Sequence, residues 1–244
     1  MNREQPAGPA AEAISVVIPF FDEEACVEAL LDEVARSLDG HGIPFEVLAV
    51  DDGSTDRTGE ILAARAAADP RIRVLRSERN RGQAAALWRG LHAAARPIVV
   101  TLDGDGQNDP ADIPRLLAEL GGPGGLDMVV GIRQDRHDSW LRRGMSRLAN
   151  AVRGRLLGDR MRDSGCALKA FRHGAVASFI PLQTLYSFMP AMAVAAGLKV
   201  GQLPVNHRPR AGGTSSYGLR QFLWRPLLDL LGMWWFLRRR IRPG

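Results

Sequence analysis

The chain has 244 residues, a length that favours one large domain, or one domain with an appendage, over two full domains. Its formal net charge is +5, and nearly all of its basic residues are arginine because lysine occurs only at Lys169 and Lys199. Arginine stays charged at any working pH, so this composition favours partners that carry phosphate. The chain has no zinc-finger spacing, no RNP-like aromatic strand and no basic heptad helix, so we expect no nucleic-acid partner.

The cysteines and the N-terminal segment argue against three further classes of protein: disulfide-rich, zinc-binding and secreted proteins. Cys26 and Cys166 have no metal-ligand spacing, so the sequence indicates neither a disulfide framework nor a zinc site, and both thiols are expected to be buried. Residues 1–13 are polar and lack an apolar core segment, which predicts a flexible leader rather than a secretory signal. No stretch reaches the roughly 18 uninterrupted apolar residues of a spanning helix.

Short apolar runs alternate with longer amphipathic runs between Ile14 and about Gly131. This alternation is typical of a parallel sheet with helices on both faces. The second of the expected helices would be capped by Ser54 or Thr55, and the fourth would open at Pro110 behind Asp109. The predicted strands are ISVVIP, FEVLAVD, RIRVL, PIVVTLD and DMVVG, and the predicted helices cover about 24–38, 56–68, 83–95 and 110–120.

The later part of the chain departs from this regular pattern. An arginine-dense helical stretch is expected at about 139–157, followed by the segment RDSGCALKAF, a helix at about 184–197 and the strand KVGQLPVNH. We interpret Arg153, Arg155 and Arg160 as solvated surface charges.

A final helix is expected at about 219–240. It carries three tryptophans, with four arginines after Leu237. This composition is typical of a helix that lies in the interface of an anionic membrane leaflet, although a core helix or an oligomer contact remains an alternative.

The segment LDGDGQNDP places Asp103 and Asp105 directly after a predicted buried strand. An EF-hand loop would need Gly and Glu where this chain has Asn108 and Pro114, so that type of site is excluded. A phosphohydrolase with an aspartyl nucleophile would need a Thr or Val soon after the aspartates and a downstream lysine. What remains is either a ligand-free turn or a carboxylate pair that holds a divalent cation against a diphosphate.

Two other strand ends are also polar. Asp51 and Asp52 end the second predicted strand within VDDGSTDRT, and the first strand leads into PFFDEE. The aspartates fit either a plain turn or contacts to a ribose and a base, as acidic residues make in other nucleotide-binding sheets. Open sheets of this kind bind their ligands at the carboxyl ends of the strands.

Seven motifs in order carry a resemblance that runs from about Ile14 to Tyr217. They are VVIPFFDEE, VDDGSTDRT, NRGQAAAL, LDGDGQNDP, GIR, DSGCALKAF and HRPRAGGTSSYG. The chain resembles family 2 glycosyltransferases with the GT-A fold. Within that family it is most similar to the polyprenyl-phosphate (dolichol-phosphate) mannosyltransferase branch and to bacterial relatives that load glucose or aminoarabinose onto undecaprenyl phosphate.

This resemblance implies an α/β fold of the GT-A type and a set of site residues. The expected nucleotide-sugar site consists of Pro19, Phe21, Glu23, Asp51, Asp52, Gln83 and Asp103. Asp103, Asp105 and Gln107 would hold Mg²⁺ or Mn²⁺. Asp105, Arg133 and Arg210 would act in catalysis. Arg142, Ser146 and Asp163 would form the acceptor-phosphate site, where Asp163 has a structural or arginine-orienting role rather than that of a base.

The resemblance also implies an activity. We expect an inverting glycosyltransferase that moves a hexose from a nucleotide sugar of the GDP-mannose or UDP-glucose type to polyprenyl phosphate. The acceptor phosphate has a second pKa near 6, so it needs no strong protein base to become a nucleophile. The expected location is the cytoplasmic face of a membrane, with a leader at 1–13, the GT-A domain at 14–217, an interfacial helix and basic tail at 218–244, and a possible homo-oligomer.

Three departures from the family pattern keep alternatives open. Phe21-Asp22 stands where the branch usually has Tyr-Asn, Ser216 stands where a lysine is expected, and Ser187 replaces the arginine of an HRF-like triplet. The last two changes favour, as an alternative, a catalytically weak relative that binds a nucleotide sugar or lipid as a partner subunit. A soluble nucleotidyltransferase is a further alternative.

Overall fold

The computed structural model describes residues 12–134 and 152–209, the backbone of 221–227, and residues 228–239 in full. Within these ranges seven strands form one sheet in the order β3-β2-β1-β4-β6-β5-β7. The strands are β1 (Ile14–Phe20), β2 (Phe45–Asp51), β3 (Ile72–Arg76), β4 (Ile98–Thr101), β5 (Met128–Arg133), β6 (Lys169–Arg172) and β7 (Val200–Val205).

The expected mixed α/β architecture with a mostly parallel sheet is confirmed. β1 pairs in parallel with β2 and with β4, β2 with β3, and β5 with β7. The short strand β6 is antiparallel to both of its neighbours, β4 and β5, and it separates them. Strand β6 was not predicted from the sequence, because its four residues include Lys169 and Arg172 and show no clear alternation.

Helices cover both faces of the sheet. The described helices are α1 (Val27–Asp39), α2 (Thr58–Ala68), α3 (Gln83–Ala93), α4 (Ile113–Leu120), α5 (Leu185–Ala195) and α6 (Gln221–Arg239), and residues 152–157 are also helical. Alternate residues of β1 point to opposite faces, so Val16 and Ile18 join one apolar core while Val17 joins the other. At Gly90 of α3 a methyl group would lie 2.4 Å from Val17, so glycine allows this helix to lie close to the sheet.

Helix starts agree only in part with expectation. Asp109 accepts a hydrogen bond from the Ala111 amide and Pro110 opens a 3₁₀ turn, as predicted. The prediction that Ser54 or Thr55 caps α2 is wrong, because this helix begins at Thr58 without a side-chain cap. The loop after β2 is longer than expected, so Ser54 instead accepts a hydrogen bond from the Asp22 amide at 3.1 Å.

The interpretation of Arg153 as a solvated surface charge is wrong. Its Nη1 lies 2.7 Å from Asp159 Oδ2, its Nη2 donates to the Ser187 carbonyl at 2.7 Å, and its guanidinium lies over the Phe188 ring. The helical segment 152–157 therefore turns this position inward against α5. Arg155 and Arg160 are exposed, as expected, and both cysteines are buried.

The C-terminal helix α6 packs on the domain by one face. Met233 is buried, and Leu230, Trp234, Phe236 and Leu237 pack against the second core. The predicted interfacial role of this helix stays a prediction, as do the domain boundaries. Among the described residues, no helix combines the length and the hydropathy that crossing a bilayer requires.

Candidate active site

The loops after β1 and β2 are joined by Asp22. Its Oδ1 accepts hydrogen bonds from the Thr55 amide at 2.7 Å and from the Thr55 hydroxyl at 3.2 Å. Asp22 has a φ of 52°, in the left-handed region that Asn and Asp tolerate better than most residues. The aspartate at this departure from the family pattern therefore fixes one side of the cleft at the carboxyl edge.

Asp51 and Asp52 point to different parts of this edge. Asp51 is fully buried, accepts a hydrogen bond from the Ser54 amide at 2.9 Å and pairs with Arg76 at 3.3 Å. These contacts stabilise the turn after β2. The predicted contact of Asp51 with a base or ribose stays a prediction.

Asp52 orients the loop that precedes α3. Its carboxylate accepts hydrogen bonds from the Arg81 amide at 3.1 Å and from the Gly82 amide at 2.7 Å. Burial raises the pKa of Asp52, although the two amide donors oppose that rise. Gly82 has a φ of 93°, which favours glycine at this turn.

Gln83 links this loop to the acidic segment after β4. Its Nε2 donates to Asp103 Oδ1 at 2.6 Å. Gln83 directly follows Gly82, whose amide is held by Asp52. Two adjacent residues therefore link Asp52 to Asp103. The structure thus brings together Asp52, Gln83 and Asp103, all of which were predicted to lie at one nucleotide-sugar site.

The loop 103–107 lies close against the end of β1. A methyl group at Gly104 would lie 2.6 Å from a Phe20 ring carbon and 2.7 Å from the Pro19 carbonyl oxygen, so this contact requires glycine. Asp105 Oδ1 accepts a hydrogen bond from the Gln107 amide at 3.1 Å, which closes the turn.

The end of β7 covers the same loop. Gln107 Nε2 donates to the Arg208 carbonyl at 3.3 Å, and the Arg208 amide donates to the Gln107 carbonyl at 2.9 Å. The Arg208 guanidinium lies 2.6 Å from Glu33 and 2.7 Å from Asp109. Arg208, which the sequence analysis did not single out, therefore joins α1, the acidic loop and the segment after β7.

Arg133 and Asp163 form a two-pronged ion pair beside the acidic loop. Arg133 Nε lies 2.8 Å from Asp163 Oδ2, and Nη2 lies 2.9 Å from Oδ1. Burial alone would lower the pKa of Arg133, but Asp163 outweighs it and keeps the guanidinium charged. Asp163 thus orients Arg133, and its predicted place in the acceptor-phosphate site stays a prediction.

Lys169 is a buried cation at this edge that the sequence analysis did not select. It is 0% exposed at the start of β6 and its Nζ donates to the Cys166 carbonyl. Burial lowers the pKa of Lys169 to about 8, while Cys166, Asp103 and Asp163 act in the opposite direction. The sequence did carry a signal for this buried cation. Lys169 is one of two lysines in the chain, and it stands between apolar residues in ALKAF.

The carboxylates of Asp103 and Asp105 fit a hard divalent cation. Burial and the nearby charge of Asp105 together raise the pKa of Asp103 to about 6, so a cation bound at this edge would offset the repulsion between the two carboxylates. No cluster of three His, Cys, Asp or Glu side chains suited to a metal occurs in the described ranges. In proteins, Mg²⁺ is often held by one or two carboxylates together with substrate phosphates and water.

The remaining predicted residues divide into two sets. Pro19, Phe21 and Glu23 lie at the end of β1, beside the loop of Asp22. Arg142, Ser146 and Arg210 lie outside the described residues, as does Ser216.

Comparisons with known proteins define the class to which this mostly parallel α/β sheet with an acidic carboxyl edge belongs. Residues 15–179 match the family model described as "Glycosyl transferase family 2". The chain is 36% identical over 237 residues to a dodecaprenyl-phosphate galacturonate synthase of Rhizobium johnstonii, covering 95% of this chain and 69% of that protein. The chain belongs to glycosyltransferase family 2.

A second relative extends the comparison. An undecaprenyl-phosphate 4-deoxy-4-formamido-L-arabinose transferase of Edwardsiella ictaluri is 39% identical over 86% of this chain and 64% of its own length. The chain thus spans about two thirds of the length of these relatives.

Two structures of glucosyl-3-phosphoglycerate synthase from Mycobacterium tuberculosis share the fold, each with a TM-score of 0.70. One, with Mg²⁺ and UDP, is 24% identical and covers 96% of this chain and 82% of its own. The other, with Mn²⁺ and UDP-glucose, is 22% identical and covers 99% of this chain and 86% of its own.

Proposed function

We propose that this chain is an inverting, divalent-metal-dependent glycosyltransferase that moves a sugar from a nucleoside diphosphate donor to polyprenyl phosphate. The observation that carries the proposal is the hydrogen bond from Gln83 to Asp103, which joins the loop held by Asp52 to the acidic loop. Relatives whose names specify dodecaprenyl and undecaprenyl phosphate support the acceptor class. Because those relatives transfer galacturonate and a formamido-arabinose, the donor panel extends beyond neutral hexoses.

The chain's own residues act by positioning and by charge. Asp103 and Asp105 would hold Mg²⁺ or Mn²⁺, which supplies charge neutralisation for the departing nucleoside diphosphate. Arg133 has five guanidinium N–H groups, and Asp163 uses two of them to fix its orientation, so the others are available for phosphate oxygens. This arrangement stabilises charge that develops on the leaving group.

The acceptor phosphate does not need a strong protein base to become a nucleophile. A phosphate monoester has a second pKa near 6 and carries a nucleophilic oxyanion near neutral pH. Direct attack of that oxygen on the sugar C1 forms the new C–O bond, breaks the bond to the diphosphate and inverts the anomeric centre. Asp163 is engaged with Arg133, which agrees with an orienting role rather than a proton-accepting one.

A polyprenyl acceptor also implies work at a membrane, and we include this in the proposal. The protein would act at the cytoplasmic face, as a peripheral protein or as part of a larger membrane protein. Supporting features are the tryptophan-rich helix α6 and its terminal arginines Arg238 and Arg239.

Radiolabel transfer to extracted polyprenyl phosphate tests the proposal. UDP-galacturonate, UDP-glucose and GDP-mannose are offered with Mn²⁺ or Mg²⁺ to the wild type, Asp105→Ala and the control Asp69→Ala. We expect label in the lipid fraction for the wild type and the control, and a loss of at least about a hundredfold for Asp105→Ala. Label that survives in Asp105→Ala, or appears only in water-soluble product, would overturn the proposal.

A further inference from the structure

A cavity of about 710 Å³ lies where three helical segments meet, away from the acidic loop. These segments are the helical residues 152–157, the end of α5 and the end of α6. Its apolar wall includes Leu156, Val194, Trp234 and Leu237, and two arginines, Arg155 and Arg238, also line it. No carboxylate is among its described lining residues.

The cavity adjoins the chain just before β7 begins, and the active site lies where β7 ends. Ala196 and Gly197 line the cavity, and the chain then enters β7 at Val200. β7 ends at Val205, which pairs with Arg133 at the active-site edge. Five steps of about 3.3 Å separate Val200 from Val205, so the two ends of this strand lie about 17 Å apart.

The two arginines give the cavity a positive mouth. Both side chains are exposed, and neither makes an ion pair with a carboxylate in the part of the chain that the structure describes. The Arg238 guanidinium lies 4.3 Å from the centre of the Trp234 ring, which holds it next to the apolar wall. Paired guanidinium groups suit a phosphate because their N–H groups match its oxygens.

Helix α6, whose end lines the cavity, also carries exposed apolar side chains. On α6, Leu228, Leu231 and Trp235 are 66%, 52% and 57% exposed and lie on one face at a spacing of three and four residues. Leu156, which lines the cavity, is itself 40% exposed. Three large apolar side chains exposed on one face of a helix favour an interaction site over an ordinary solvated face.

We propose that this cavity binds the phosphate headgroup and adjoining methylene groups of an anionic membrane lipid. Arg155 and Arg238 contact the phosphate, the Trp234 and Leu237 wall contacts the hydrocarbon, and the exposed face of α6 enters the same leaflet. The site is separate from the donor site and goes beyond the proposed transfer reaction. The combination of a positive mouth and an apolar wall favours an amphiphile over a free anion.

Titration calorimetry on the full chain tests this proposal with dihexanoylphosphatidic acid below its critical micelle concentration. Inorganic phosphate and dihexanoylphosphatidylcholine serve as matched ligands. We expect saturable 1:1 binding of the phosphatidic acid, and binding weaker by at least about tenfold for both comparison ligands. This comparison uses the wild type and depends on no variant.

Two double variants of equal charge locate the site. Arg155→Gln with Arg238→Gln removes the cavity pair. Arg36→Gln with Arg160→Gln removes two exposed arginines that do not line the cavity. We expect the first to lose at least about tenfold in affinity and the second to stay within about twofold. Thermal unfolding and a thermal shift with nucleotide sugar and Mn²⁺ check that fold and donor site are intact.

Four results would overturn the proposal. They are no saturable binding by the wild type, equal losses in the two double variants, phosphate binding as tight as the lipid, and self-association that requires Arg155 and Arg238 in place of lipid binding. The third result would indicate a free-anion site, and the fourth would indicate a contact with a second copy. Failure of sugar transfer with normal lipid binding would count only against the proposed function.

Discussion

Gly104→Ala is expected to displace the acidic loop from the end of β1. The added methyl group would lie 2.7 Å from the Pro19 carbonyl oxygen, which is backbone and cannot rotate away, and 2.6 Å from the Phe20 ring. Forced overpacking of this kind costs about 1–3 kcal/mol. A shift of the loop also moves Asp103 relative to Gln83, so we expect weaker binding of the metal and nucleoside diphosphate.

Gly174→Ala is the matched control. Nothing lies within 4 Å of a methyl group at Gly174, and its backbone does not require glycine. The control is expected to be neutral or more stable by up to about 1 kcal/mol, because alanine loses less backbone freedom on folding. Urea unfolding of both variants measures the difference. Equal stability of the two variants would refute the close contact between this loop and β1.

Three further predictions rest on other parts of the site and fold. Asp163→Ala should cost about 3–5 kcal/mol in urea unfolding because it leaves the partly buried Arg133 without its carboxylate, and a loss below about 1 kcal/mol would contradict this pairing. Asp22→Asn should keep the stability of the wild type, whereas Asp22→Val should lose about 1–3 kcal/mol because valine is strained at this positive φ. An Asp22→Val variant as stable as the wild type would contradict the role of Asp22 in joining the two loops. At Glu46, burial would raise the pKa, but hydrogen bonds from Ser15, Ala95 and Arg73 outweigh it and lower the pKa. Its contribution to stability is therefore present above the ordinary value of 4.5 and is lost as the pH falls through the lower folded pKa. Glu46→Gln should cost about 1.5–3 kcal/mol at pH 7 and progressively less in acid, and an unchanged deficit at pH 3 would contradict that linkage.

The sequence predicted the features that depend on local pattern. Five apolar runs became β1 to β5 because each is long enough to show a buried strand between turn residues. The position of Asp103 and Asp105 followed from their place directly after β4. The hydrogen bond between Gln83 and Asp103 was not predicted. Family resemblance placed both residues at one nucleotide-sugar site, but a glutamine at a helix start has no distinctive signal of its own.

Features that depend on long-range contacts were not predicted. β6 is four residues long and inserts between β4 and β5, and nothing in its composition indicates an antiparallel strand. Arg153 resembles its solvated neighbours in sequence, and only packing against α5 turns it inward toward Asp159. Lys169 lies close enough to Asp103 to affect its pKa because β6 pairs with β4, a contact that spans 66 residues or more.

Binding of a nucleoside diphosphate with and without Mn²⁺ tests the central claim that Asp103 and Asp105 hold a cation against the donor. Calorimetry with UDP and GDP compares the wild type with Asp103→Asn, Asp105→Asn and Asp109→Asn, the last a carboxylate of the same segment that caps the following turn. We predict that Mn²⁺ tightens binding by at least about tenfold in the wild type and in Asp109→Asn, and that both other variants lose this effect. Metal-dependent binding that persists in Asp103→Asn and Asp105→Asn would contradict the claim.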